Sequence, residues 1–303
     1  MSLINRRNKL LLLKFFSLFS VVRGYNILII VLAQYLASIF ILAPQLPVQA
    51  ILLDLNLFII VFAGALAIAG GYIINNFYDS EKDLINRPKK TRLDHFVSQK
   101  KTLTLYFVLN LLSVIVASYV SFRAVLFFSL YIFGIWFYSH KLKRMPFIGN
   151  LTSAILSITP FFAVFIYYGN FDPVIFVHAT FLFLIIAMRE IVKDLENLKG
   201  DLALGYRTIP IVLGENAAKV LITALVAITI IPIYLLVTRF DIGYMNYYFY
   251  GSVILLLLFL GLVWFSRAKL HYLLLHNILK FIIVAGVFSI LLIDIHVVLG
   301  RIF

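Results

Sequence analysis

Nine of the thirteen acidic residues fall within 79–94 and 190–215, seven of them in two short stretches, and carboxylates at that density are the side chains best equipped to do chemistry in this sequence. In the first stretch, GGYIINNFYDSEKDLINRPKK, Asn75, Asp79 and Asp83 recur every fourth residue, with Asn76 beside them. If the helix that brings the chain here continues, that spacing puts two carboxylates and an amide on one face. Like charges four residues apart destabilise a bare helix, so a counter-charge is required. It can come from Lys82, Arg87, Lys89 and Lys90, or from a bound divalent cation. The second stretch, REIVKDLENLKGD, carries Glu190 and Asp194 four apart, followed by Asn197 and Asp201. Read as one helix, it also presents all four on one face. Asp79 to Glu190 and Asp83 to Asp194 are both separations of 111 residues, a matched pair that suggests an old internal duplication.

Oxygen donors among lysines and arginines are poor zinc or copper sites, and the absence of cysteine excludes thiolate nucleophiles and thiolate-bound metals. They suit Mg²⁺, which takes one or two carboxylates and fills its shell with water and substrate phosphate. The combination points to a diphosphate whose departure is eased by the cation and the basic residues. A solvated loop flanking a helix would account for one such cluster; two of matching spacing on one side of a membrane favour a site.

The elements that must position these residues are membrane helices. The chain has 303 residues, 63% hydrophobic and 13% charged, with a mean hydropathy of +1.04. A soluble domain needs about a quarter of its residues charged, so a soluble globule is excluded. A transmembrane barrel would show alternating segments instead of long apolar runs. Nine apolar stretches, near 24–43, 57–76, 102–122, 124–140, 147–168, 173–190, 216–237, 246–266 and 273–299, predict an all-α polytopic membrane protein. With these spans, 22 of the 26 lysines and arginines fall on one side, which places the N-terminus in the cytoplasm and the C-terminus outside. Residues 1–23 read as an interfacial amphipathic segment. The whole chain, that segment included, reads as a single intramembrane domain over 1–303, with motif loops at 77–101 and 190–215 on the cytoplasmic side. The net charge of +13 suits anionic headgroups and a phosphorylated substrate. Nucleic acid is excluded as a partner because no basic domain outside the membrane is large enough to form a groove. Gly70 and Gly71 allow close helix packing, Pro160 is expected to kink the fifth span, and Asp294 with His296 reads as an interfacial pair.

Over most of its length the sequence resembles the UbiA superfamily of intramembrane prenyltransferases. Asn75, Asp79 and Asp83, followed by Asn86, Arg87 and Pro88, match the family's first aspartate-rich motif. Lys193, Asp194 and Asp201, then GDLALGYRTIPIVLG, match the second; YSHKLKRMPFIGN and the RGYN from Arg23 to Asn26 match two further segments. The resemblance implies nine helices around a central cavity that opens laterally to lipid. It implies Asp79, Asp83, Asp194 and Asp201 as catalytic ligands of Mg²⁺ and diphosphate, with Asn75 assisting and Asn26 at the entry to the first span. It further implies diphosphate contacts from Arg87, Lys141 and Lys193, and a Tyr138 that faces the diphosphate or the incipient allylic cation. Two positions depart from the pattern: Asn76 and Asn197 stand where many relatives have Asp.

Subfamilies differ in the acceptor. The segment KDLENLKGDLALGYRTIPIVLG resembles the branch that transfers a geranylgeranyl group from geranylgeranyl diphosphate to geranylgeranylglycerol phosphate, a lipid hydroxyl. An aromatic acceptor on the menaquinone or ubiquinone route, or a tetrapyrrole ring, stays open. A hydroxyl acceptor must lose a proton, and Glu190 and Asp201 are both candidates to take it. A reading from a different class, a secondary transporter, would route its path past Gln34, Asn110, His178 and Asp294. Against it, the carboxylate clusters lie at helix ends and not at mid-bilayer. The expected location is the cytoplasmic membrane of a bacterium or archaeon, with the active site facing the cytoplasm.

Overall fold

The computed structural model describes residues 6–94 and 97–294, and the regular structure among them is entirely helical. In chain order the α-helices are α1 (Arg6–Val21), α2 (Gly24–Ala37), α3 (Val48–Leu52), α4 (Leu55–Asn86), α5 (Pro88–Asp94), α6 (Gln99–Ser118), α7 (Phe122–His140), α8 (Ile148–Tyr168), α9 (Pro173–Glu196), α10 (Leu198–Ala203), α11 (Ile209–Leu213), α12 (Glu215–Arg239), α13 (Asn246–Phe265) and α14 (Lys269–Ser289). Among the described residues nine helical segments are long and apolar enough to cross a membrane: α2 extended to Leu42, α4, α6, α7 extended to Arg144, α8, α9, α12, α13 extended back to Gly243, and α14 extended to Leu292. These are the nine expected spans. The first five residues of the interfacial segment, and the His296 expected to pair with Asp294, lie outside the described residues. The chain forms two compact units, one of residues 1–31 and 58–141 and the other of residues 32–57 and 142–303.

In the first unit α4 is built for close approach, which in lipid is what holds helices together. Ala63 and Ala67 have no exposed surface. A Cβ on Gly70 would lie 2.6 Å from the Asn110 amide oxygen of α6, and one on Gly71 3.0 Å from Ile135 of α7. Ser113 of α6 donates to the Ala63 carbonyl at 2.8 Å. Val21 of α1 joins Ile73, Ile74 and Tyr106 in a small core. Helix α4 runs unbroken for 32 residues, so the first part of the segment expected as a loop is helical. It stops at Asn86 because Pro88 disfavours a helical Arg87 and lacks the N–H to continue the ladder.

In the second unit α9 packs against α8, α12 and α14. Ile185, Met188, Val192 and Leu195 recur at the three- and four-residue steps of one helix face and are buried with Ile222, Phe249 and Phe259. Asp172 caps the start of α9, accepting from the Val174 amide at 3.2 Å, with Pro173 at the first helical position. Pro160 lies inside α8, and the buried Gln34 amide donates to its carbonyl at 2.8 Å. His178, within α9, bonds the Val174 carbonyl at 2.9 Å.

Candidate active site

The first unit carries the first carboxylate cluster on the last three turns of α4. Because the helix is continuous to Asn86, Asn75, Asp79 and Asp83 do share a face. Asp79 is buried, not solvent-facing as its place in an expected loop implied, and its Oδ1 lies 3.2 Å from the equally buried Lys82 ammonium. Lys82 thus supplies a counter-charge of the kind the spacing required. Arg87 follows directly, its backbone N–H donating to the Asp83 carbonyl at 2.7 Å. One turn before Asn76, the Tyr72 hydroxyl accepts from Asn26 at 3.3 Å, and the Arg23 guanidinium stands 5.1 Å above the Tyr72 ring. The RGYN segment is thus held to the motif helix. Tyr78 bonds His140 at 3.1 Å, which fixes the end of α7 near the half-buried Tyr138 and the exposed Lys141.

The second unit carries the second cluster, and here the register departs from expectation. Glu190, Lys193 and Asp194 lie on α9, but the helix ends at Glu196. Asn197 leaves the helical region at φ −99°, ψ 9°, so the helix is not continuous to Asp201, although the Asn197 N–H still donates to the Lys193 carbonyl at 3.0 Å and Asp201 lies within electrostatic reach of Asp194. Asp201 sits on the separate α10, 1% exposed, with the Tyr206 N–H donating to its carbonyl at 2.9 Å. The segment 190–215 is mostly helical, through the end of α9, α10 and α11.

Several residues that the sequence did not single out organise this half. Asn150, at the start of α8, donates to Asp194 Oδ2 at 2.7 Å and so orients the carboxylate. Its position depends on Gly149, where a Cβ would lie 2.9 Å from the Leu142 carbonyl; no other residue lets α8 approach the preceding turn so closely. Glu190, 4% exposed, is bound by Lys193 on one oxygen and faces Arg189 at 3.6 Å on the other. Arg189 Nε donates to His276 Nε2 of α14 at 3.3 Å, and His276 Nδ1 lies 3.4 Å from Glu196. Since Arg can only donate, the proton of the neutral histidine sits on Nδ1, the ring nitrogen 3.4 Å from Glu196. Arg144 is fixed by the α10–α11 turn: its carbonyl accepts from the Arg207 N–H at 3.0 Å and its guanidinium covers the Tyr206 ring at 5.2 Å. The GN pair of Gly149–Asn150 was legible as part of a matched segment; the pairing of His276 with α9 crosses 80 residues and leaves no periodic signal.

Toward the opposite end of α9 the same unit holds a cavity of about 150 Å³, lined by Ala33, Phe162, His178, Phe181, Tyr248 and Gly286 among others. His178 precedes Glu190 by twelve residues, which is about 18 Å along the helix axis.

Among the described residues no three carboxylate, histidine or cysteine side chains form a closed metal cage. The donors present are all oxygens: Asp79 and Asp83 with the Asn75 amide in one unit, Asp194 and Asp201 in the other. Each pair taken by itself is of the donor type that suits Mg²⁺, which completes its shell from water and phosphate.

The UbiA prenyltransferase family model matches residues 23–271. The chain is 33% identical over 168 residues to a digeranylgeranylglyceryl phosphate synthase of Pyrococcus furiosus, an alignment covering 55% of this chain and 60% of that relative. It is 30% identical over 261 residues to the protein of the same name from Thermococcus kodakarensis, covering 86% of this chain and 91% of the relative. A solved structure of a UbiA homolog from Archaeoglobus fulgidus, bound to GPP and Mg²⁺, superposes with a TM-score of 0.66 over 90% of this chain and 99% of that one, at 16% identity. That likeness shows the fold.

Proposed function

Because the chain belongs to the UbiA prenyltransferase family and is a membrane prenyltransferase, we propose that it transfers a geranylgeranyl group from geranylgeranyl diphosphate to the free hydroxyl of geranylgeranylglycerol phosphate. The observation that carries this reading is that each of the two carboxylate clusters lies on a membrane-helix end with a lysine already seated against a carboxylate. The names of the archaeal relatives support the glycerol-phosphate acceptor. Asp79, Asp83, Asp194 and Asp201 would hold Mg²⁺, with Asn75 assisting. When bound, the cation neutralises charge on the diphosphate leaving group.

The chain's own residues do the rest. Arg87, Lys141 and Lys193 bind the diphosphate, and Asn150 holds Asp194 in the orientation that the cation and diphosphate require. Lys193, its side chain 29% exposed, is stored on Glu190 and is transferred to the arriving phosphate oxygens. That exchange leaves Glu190 with Arg189 as its remaining cation and with a carboxylate oxygen able to take the acceptor's hydroxyl proton. Tyr138 faces the reacting carbon, and Asn26 steadies the first span through Tyr72. The apolar cavity of the second unit shelters prenyl chain from water. The clusters face the cytoplasm, with the N-terminus on the same side, in an archaeal cytoplasmic membrane. The secondary-transporter reading yields to the family assignment.

The test is a transfer assay with detergent-purified protein and radiolabelled geranylgeranyl diphosphate, with Mg²⁺ or with EDTA. Geranylgeranylglycerol phosphate, 4-hydroxybenzoate and dihydroxynaphthoate are offered as acceptors. Magnesium-dependent product with the lipid alone is the expected result. Product with an aromatic acceptor instead would move the protein to the quinone branch.

A further inference from the structure

One carboxylate outside the four motif aspartates joins three helices of the first unit. Asp94 ends α5 and is 6% exposed. Its Oδ2 accepts from Asn76 Nδ2 of α4 at 3.1 Å, and its Oδ1 from Ser20 Oγ of α1 at 2.9 Å. Ser17 Oγ, also of α1, donates to its backbone carbonyl at 3.2 Å. Asn76 and Asp94 are 18 residues apart in sequence, and the chain between them carries Asp79, Asp83 and Arg87. The hydrogen bond therefore closes a hairpin that contains the carboxylates of the first motif and the arginine that follows them. At its turn the helical ladder is interrupted before Pro88, and α5 has only seven residues, too short to hold a direction by itself. The anchorage at the far end of α5 therefore helps to set the angle between Arg87 and the motif face.

We propose that Asp94 is a positioning residue for the diphosphate-binding half-site, acting through Asn76 and α1, and that Asn76 serves as a hydrogen-bond donor to Asp94 and not as a cation ligand. The role of the half-site rests on the prenyltransferase reading; the coupling between residues 76 and 94 does not. The chemistry explains why an amide stands at 76. An aspartate there would set two carboxylates at hydrogen-bonding distance with no proton between them, replacing an attraction by a repulsion. Exchanging the two groups restores the bond: in Asn76→Asp with Asp94→Asn the amide at 94 donates to the carboxylate at 76, and its oxygen still accepts from Ser20.

The experiment compares wild type, Asn76→Asp, Asp94→Asn and the double variant in detergent. It reads KM and kcat for geranylgeranyl diphosphate, the Mg²⁺ concentration at half-maximal rate, and the thermal midpoint. Asn76→Asp is expected to raise KM about tenfold with a smaller change in kcat and to lower the midpoint. Asp94→Asn, which keeps one acceptor oxygen, is expected to do less, and the double variant to recover most of both losses. Ser20→Ala, which removes only the α1 contact, is expected to raise KM about threefold. Asn76→Asp with an unchanged or higher kcat/KM and a lower Mg²⁺ requirement would overturn the proposal, because it would place residue 76 at the cation. A double variant no better than Asn76→Asp would also overturn it. Were the wild type inactive with every acceptor, the functional reading would fail, while the four thermal midpoints would still decide the coupling.

Discussion

Asn150→Ala tests whether the second carboxylate cluster is preorganised for its ligand. The Asn150 amide donates to Asp194 Oδ2 at 2.7 Å, a short distance typical of a charge-assisted bond. Hydrogen bonds to charged groups contribute about 1.5–3 kcal/mol, and loss of a group that orients a metal ligand typically costs about 10–100-fold in metal affinity or activity. Asp194 is only half-buried, so water replaces part of the lost donor and the low end applies. Turnover is expected to fall roughly tenfold to thirtyfold in kcat/KM, with the larger part in KM for geranylgeranyl diphosphate and in the Mg²⁺ needed for half-maximal rate. The assay is steady-state transfer at saturating acceptor across a Mg²⁺ titration, with the thermal midpoint measured on the same preparation. Excess Mg²⁺ should recover part of the loss, because misorientation weakens binding without removing the ligand. If kcat/KM and the Mg²⁺ requirement both stay within about twofold of wild type, Asp194 is not oriented by Asn150 for catalysis and the assignment of that half-site fails.

Other outcomes follow from the same contacts. Asp79→Asn keeps the side-chain shape but removes a charge expected at the cation; turnover should drop by at least about 100-fold while the protein stays monodisperse and membrane-inserted. Asp79→Ala should lower the thermal midpoint further than Asp79→Asn, since the amide oxygen of Asn can still accept from the buried Lys82, 3.2 Å from the Asp79 carboxylate, and Ala offers no acceptor. Gly149→Ala forces a Cβ to 2.9 Å from the Leu142 carbonyl. The backbone must shift at a cost of about 1–3 kcal/mol, and both the midpoint and kcat/KM should fall because Asn150 moves with it. His276→Ala removes the acceptor for Arg189 and the partner of Glu196; a loss of about 1–3 kcal/mol is expected from denaturation of the detergent-solubilised protein.

The nine spans and the shared face of Asn75, Asp79 and Asp83 were determined by sequence alone, because hydropathy and helical period are local properties that survive without a partner. Local too was the requirement for a counter-charge on the first cluster, though not the seating of Lys82 against Asp79. For Asp201 the same reasoning missed a break in the helix. Extending the α9 period through Asn197 assumed a continuous helix, and the chain instead leaves the helical region at Asn197 and re-forms as α10. Only the tertiary structure decided which groups orient the carboxylates. Asn150 reaches Asp194 across 44 residues and Arg189 reaches His276 across 87. Such pairings depend on how α8 and α14 pack against α9, and side-chain packing of that kind has no period to read. Asn76 is the clearest case: in sequence it is an amide where the resembled motif often has an acid, and in the folded unit it faces Asp94, where a second carboxylate would repel the first.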